Sequence, residues 1–95
     1  KYSKSEKAPF ALNSMGEYYE EIKDNRSAIS AYRKLAKEYP GCQFSCGKLF
    51  LAGKLAKDEL KDTNMAIDVY KEVVNQFPGT KEAESAQKSI SELKK

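Results

Sequence analysis

Histidine is absent from the 95 residues, and cysteine occurs only twice. The first absence removes the side chain most often used as a general base near neutral pH. No nucleophilic serine is framed by a strained glycine turn, and no glycine-rich loop could cradle a phosphate. Neighbouring carboxylates, Glu20 with Glu21 and Asp58 with Glu59, project to different sides of a helix and read as solvated. Neither catalysis nor a bound cofactor is expected. The two cysteines, Cys42 and Cys46, lie four apart near a predicted helix start, and a metal site would need two more soft ligands. A disulfide at that spacing closes only if the first helical turn is frayed, because the Cβ atoms otherwise diverge. They read as free, partly buried thiols, with a strained disulfide as the alternative.

Long apolar runs are missing too: none approaches the roughly 18 residues that a spanning helix needs. A content of 40% hydrophobic and 33% charged residues excludes a disordered polymer and a membrane protein alike. Charge of one sign is not concentrated anywhere. Residues 1–40 carry eight basic and six acidic groups, residues 41–95 nine and eight, for a net charge of +3. With no basic stripe and no surface of stacking aromatics, nucleic-acid binding is not expected. The start, Lys1-Tyr2-Ser3-Lys4, has neither an initiator Met nor an apolar signal core, as expected of a mature or excised fragment.

What is present is periodicity. Ala8, Ala11, Leu12, Met15, Tyr19 and Ile22 recur at three and four, predicting an apolar face on a helix over about 6–23, capped by Ser5 with Pro9 in its first turn. Asp24 caps a second helix over 25–38, with Ala28, Ile29, Tyr32, Leu35, Ala36 and Tyr39 inward, stopped by Pro40-Gly41. So short a connection makes the pair an antiparallel hairpin. Gly16 against Ala28 is its expected point of close approach. A third helix over about 43–60 carries Phe44, Leu49, Ala52, Gly53, Ala56 and Leu60. A fourth, capped by Asp62 or Thr63 and reaching 76, carries Ala66, Ile67, Tyr70, Val73, Val74 and Phe77, and stops at Pro78-Gly79. Gly53 to Ala66 is one residue longer than Gly16 to Ala28, an insertion expected in the turn around 61–64. Thr80 caps a fifth helix to about 94 with the narrow apolar stripe Ala83, Ala86, Ile90 and Leu93. It reads as a closing helix, or else as a helix cut from a longer array.

The spacing Leu12-x-x-Met15-Gly16-x-x-Tyr19, then Ala28-x-x-x-Tyr32-x-x-Leu35-x-x-x-x-Pro40, resembles the tetratricopeptide repeat. A second copy keeps Leu49, Ala52, Gly53, Ala66, Tyr70, Val73 and Pro78, with Ala56 where a large aromatic is usual. The resemblance implies an all-α domain spanning 1–95, its antiparallel hairpins stacked as a right-handed superhelix of five helices: repeat 1 over about 6–40, repeat 2 over about 43–78, and a closing helix over about 80–94. The junctions Tyr39-Pro40-Gly41-Cys42 and Phe77-Pro78-Gly79-Thr80 resemble the Tyr-Pro-x-Ser junctions of bacterial envelope repeat proteins, the outer-membrane-assembly lipoproteins and the TolA-binding type. Tyr2-Ser3-x-Ser5 reads as a degenerate further copy. Cys42 stands where Thr80 stands in the next junction, so the third helix is expected to start without a good cap. A periplasmic or cell-envelope location follows from this resemblance, a cytoplasmic one being the alternative.

The same resemblance implies a scaffold for protein–protein interaction, binding a peptide or partner segment in a concave groove lined by the first helix of each pair. The groove positions would be Asn13, Glu17 and Glu20, then Phe50, Lys54 and Lys57, then Lys88 and Glu92, acidic at one end and basic toward the other. Phe50 is the one large apolar group among them, an anchor or simply a packing residue. Asn13 and Glu17 replace the Lys and Asn with which related domains clamp a carboxylate tail, so such a ligand would meet a like charge. The alternative function is self-association through the amino-terminal face, at Ala8, Ala11 and Tyr18.

Overall fold

A computed structural model describes residues 4–42 and 44–94, with side chains from Pro9 onward. Five helices follow one another, α1 (Lys4–Glu21), α2 (Asn25–Glu38), α3 (Ser45–Asp58), α4 (Thr63–Gln76) and α5 (Lys81–Leu93), and the described residues contain no strand. Each packs on its neighbour in the chain, and α3 also touches α5. The result is a slab 48 × 32 × 15 Å. Its thickness is that of two helical layers set roughly 8–10 Å apart.

Local chemistry starts three of these helices where the sequence places them. The Asp24 carboxylate accepts the Ser27 amide at 3.3 Å and its hydroxyl at 2.8 Å, Asp62 accepts the Met65 amide at 3.0 Å, and Thr80 Oγ1 accepts the Ala83 amide at 3.0 Å. Each cap contributes about 1 kcal/mol. The turn after α1 closes as a Schellman motif, the amides of Asp24 and Lys23 donating to the carbonyls of Tyr19 and Glu20. It requires a left-handed residue, and Lys23 takes that conformation at φ 65°. Lys61 does the same after α3 at φ 56°. There the Asp62 amide reaches back one residue further, to Ala56, so the inserted residue is absorbed at Glu59–Leu60 rather than around 61–64.

Other starts and ends differ from the sequence reading. The first helix begins at Lys4, which puts Ser5 inside it rather than at its cap and Pro9 in its second turn, where the ring has no amide hydrogen for the carbonyl of residue 5. The junction read at Tyr2-Ser3 lies outside the described residues. The third helix starts at Ser45, behind Phe44, which provides no side-chain cap. Ser45, fully buried, instead donates its hydroxyl to the Tyr39 carbonyl at 2.6 Å. Thr80 performs that task for Phe77 at 2.7 Å, so the hydroxyl missing at Cys42 is supplied three residues later.

The core holds one arrangement twice. A Cβ on Gly16 would stand 2.6 Å from Cζ of Tyr32, and a Cβ on Gly53 would stand 2.5 Å from Cε1 of Tyr70. Both tyrosines are fully buried. Each ring therefore occupies the volume that a side chain on the facing helix would fill, and Ala28, the expected partner of Gly16, is fully buried as well. The expected apolar face of α1 divides. Leu12 and Tyr19 turn partly inward, whereas Ala11, Met15 and Ile22 are exposed, because no helix covers that side of α1 among the described residues.

Gly16→Ala is expected to cost about 1–3 kcal/mol in urea unfolding, although alanine favours a helix by roughly 1 kcal/mol. In a Tyr32→Leu background the same change should become neutral or favourable, the sign of a ring-specific collision. Lys23→Gly should stabilise by about 0.5–1 kcal/mol, since glycine takes the left-handed conformation without steric penalty.

Candidate functional site

The eight groove residues inferred from the sequence fall at one register on α1, α3 and α5. Asn13, Phe50 and Lys88 correspond to one another, as do Glu17, Lys54 and Glu92, and Glu20 with Lys57. None of them forms an ion pair with another, but several are committed elsewhere. Glu17 accepts Lys48 Nζ at 3.1 Å. Glu20 accepts the hydroxyl of Tyr32. Lys57 lies 3.8 Å from its neighbour Asp58, a pair too exposed to contribute much. Phe50 is half-buried and tilted against the Tyr70 ring at 5.5 Å, so its main contact is inside its own hairpin. Lys54, Lys88 and Glu92 are exposed and have no ion-pair partner among the described residues. Asn13 Oδ1 is shielded from solvent without a hydrogen bond.

Lys48 is the residue that the sequence reading missed. Its ammonium bridges α1 and α3 through Glu17 and stands 5.4 Å from the centroid of the Tyr32 ring. The ion pair contributes about 0.2–1 kcal/mol and the ring about 0.5–1 kcal/mol. A signal was available: one repeat earlier the position is Ala11 and one repeat later Ala86, so a lysine there interrupts a row of alanines. Two further contacts join the helices that line this side, Phe10 edge-on to Phe44 at 5.2 Å and Cys46 Sγ to Thr80 Oγ1 at 3.7 Å. Both cysteines are free, and burial pushes the Cys46 thiol up, which lowers its reactivity.

The two buried tyrosines end differently. Tyr32 reaches a carboxylate, because Glu20 stands at the end of its ring. At the matching place in the next hairpin is Lys57, which can only donate. The Tyr70 hydroxyl approaches Ser89 without closing a well-formed hydrogen bond. Burial first, and then Glu20, hold the Tyr32 phenol far above its ordinary value, and burial raises Tyr70 as well.

Tyr32→Phe should therefore destabilise by about 1.5–3 kcal/mol, the range for a hydrogen bond to a charged group, whereas Tyr70→Phe should be neutral or stabilising. The raised phenols also set an alkaline limit. The unfolded chain gives up these protons near pH 10.0 while the folded chain keeps them. Stability is then fully present below that pH and falls above it, by up to about 1.4 kcal/mol per pH unit for each tyrosine. Urea midpoints across pH 8–12 should decline in this way, and less steeply in Tyr32→Phe.

The hairpin geometry and the paired glycine–tyrosine fit agree with comparison to known proteins. The profile of the family described as Tetratricopeptide repeat matches residues 14–41 and 49–80, more than half of the chain. No curated protein matches at a significant level. Repeats of this kind generally mediate protein–protein interactions, which implies protein partners. No helix among the described residues is long and apolar enough to cross a membrane. This chain, with two hairpins built on the same register and a fifth helix against the second, belongs to the tetratricopeptide repeat family.

Proposed function

We propose that the domain is a non-catalytic interaction module that receives an extended peptide or partner segment along the row presented by α1, α3 and α5. The observation that carries this reading is the exposure of Lys54, Lys88 and Glu92, which share that row without intramolecular ion-pair partners. Side chains that stabilise nothing in the fold are available for recognition. At the α1 end the row is less acidic than its composition suggests, since Lys48 neutralises Glu17 and Tyr32 occupies Glu20. The ligand favoured is one whose acidic groups lie toward α3 and α5. The junctions Tyr39-Pro40 and Phe77-Pro78 support assigning the protein to the bacterial envelope, which fractionation of cells expressing the full reading frame would test.

A competing reading is self-association through the amino-terminal face, favoured by the exposure of Tyr18 and Met15. Sedimentation over a concentration series separates the two, a strict monomer eliminating the second.

Lys54→Glu combined with Lys88→Glu is the decisive change for the groove, because neither lysine supports the fold. Peptides selected from an extended library on the native domain should lose at least about tenfold in affinity for the double variant, with unchanged helical circular dichroism. Binders indifferent to the double substitution would remove the groove assignment.

A further inference from the structure

We infer that the second hairpin carries a carboxylate-binding subsite, in which the Tyr70 hydroxyl donates to an acidic group of the bound segment while Lys54 and Lys57 balance its charge. The subsite belongs to the groove row and rests on that reading. The first hairpin shows the same place already filled. There the Tyr32 hydroxyl, at the end of a fully buried ring, donates to the Glu20 carboxylate, with Glu17 one turn earlier and Lys48 of the next hairpin completing the cluster. The chain supplies its own acid. In the second hairpin the ring is kept and the charges around it are inverted. Tyr70 is fully buried against Gly53 as Tyr32 is against Gly16. A shift of 37 residues, however, puts Lys54 and Lys57 where Glu17 and Glu20 stand, and one of 38 puts Ala86 where Lys48 stands. Two acids and a base become two bases and no acid. The Tyr70 hydroxyl is left without a hydrogen bond, with Ser89 beside it. A buried phenol without an acceptor is costly, and a carboxylate arriving where Glu20 stands in the first hairpin removes that cost.

In the free chain side chains close this hydroxyl off from solvent, so an incoming acid must displace one of them. Lys57 is placed to give way. It stands at the register of Glu20, and its ammonium is held only loosely, 3.8 Å from Asp58 in a pair whose side chains are 37% and 55% exposed. Swinging aside exchanges that weak pair for the arriving carboxylate. Asp58 bears on the hydroxyl with its own negative charge, which Lys54, Lys57 and, from α5, Lys88 outweigh. Phe50, tilted on the Tyr70 ring at 5.5 Å, gives the subsite an apolar wall. All of these groups lie on α3, α4 and α5, helices already packed on one another, so the subsite does not depend on what adjoins either end of the stack. A side-chain carboxylate and a carboxy-terminal one share this chemistry.

Two probes separate these sources by calorimetric titration into the whole chain: an acetylated and amidated octapeptide alternating Glu and Ala, and an acetylated octapeptide alternating Gly and Ser with a free carboxyl terminus. At least one should bind, the one that does naming the source. Tyr70→Phe should weaken it at least about tenfold with unchanged circular dichroism, whereas Tyr32→Phe, whose acceptor is internal, should leave the affinity as it is. Lys57→Glu supplies the missing acid from within. It should abolish the binding and turn Tyr70→Phe from neutral to destabilising in urea unfolding, as Tyr32→Phe is. Binding of neither peptide, an affinity indifferent to Tyr70→Phe, or a Tyr70→Phe stability effect that Lys57→Glu leaves unchanged would overturn the subsite. Sensitivity to Lys54→Glu with Lys88→Glu but not to Tyr70→Phe would remove the subsite alone, and indifference to all three would remove the groove with it.

Discussion

Everything in this fold depends on a ring filling the space of a missing side chain. Gly16 and Gly53 let two helices approach until only an aromatic edge fits between them, and Tyr32 and Tyr70 supply it. The fit fixes how far apart the helices of a hairpin stand. It also fixes rotation, since turning either helix would move the glycine away from the ring and present a Cβ instead. Leu35, Leu49, Val69 and Val73 complete the apolar layer around these two centres.

On this common frame the two repeats differ mainly in their polar finish. Tyr32 ends on a carboxylate and Tyr70 beside a serine, because Glu20 and Lys57 share a register but not a charge. Thr80 both caps its helix and holds the preceding carbonyl, whereas Ser45 holds that carbonyl and α3 begins uncapped. The repeated geometry tolerates these exchanges because they lie at the edges of the packed layer. It is at such edges that a repeat protein can acquire partners without disturbing its stack.

Much of this was legible in the residues. Period, caps at Asp24, Asp62 and Thr80, and proline stops place α2 and α4 closely, because those signals act within a few residues of themselves. What could not be read locally was set by absent or distant neighbours. Met15 and Ile22 carry the same apolar signal as buried residues, and they are exposed because no helix lies against them among the described residues. Lys48 was hidden for a related reason: a lysine in a helix reads as solvated, and its place beside Glu17 and Tyr32 depends on how two hairpins meet. The shared register of Asn13, Phe50 and Lys88 was legible as spacing, while the commitments of Glu17 and Glu20 required the contacts themselves.

Between the hairpins, two ionic ties lie on opposite layers of the slab. Glu17–Lys48 joins α1 to α3 on one side, and Arg33–Glu72 joins α2 to α4 on the other. Each tie links one hairpin to the next, so each adds to the packing between repeats. Both ties are partly exposed, hence screened by salt. Raising the ionic strength therefore weakens both ties at once, on the two layers of the slab together.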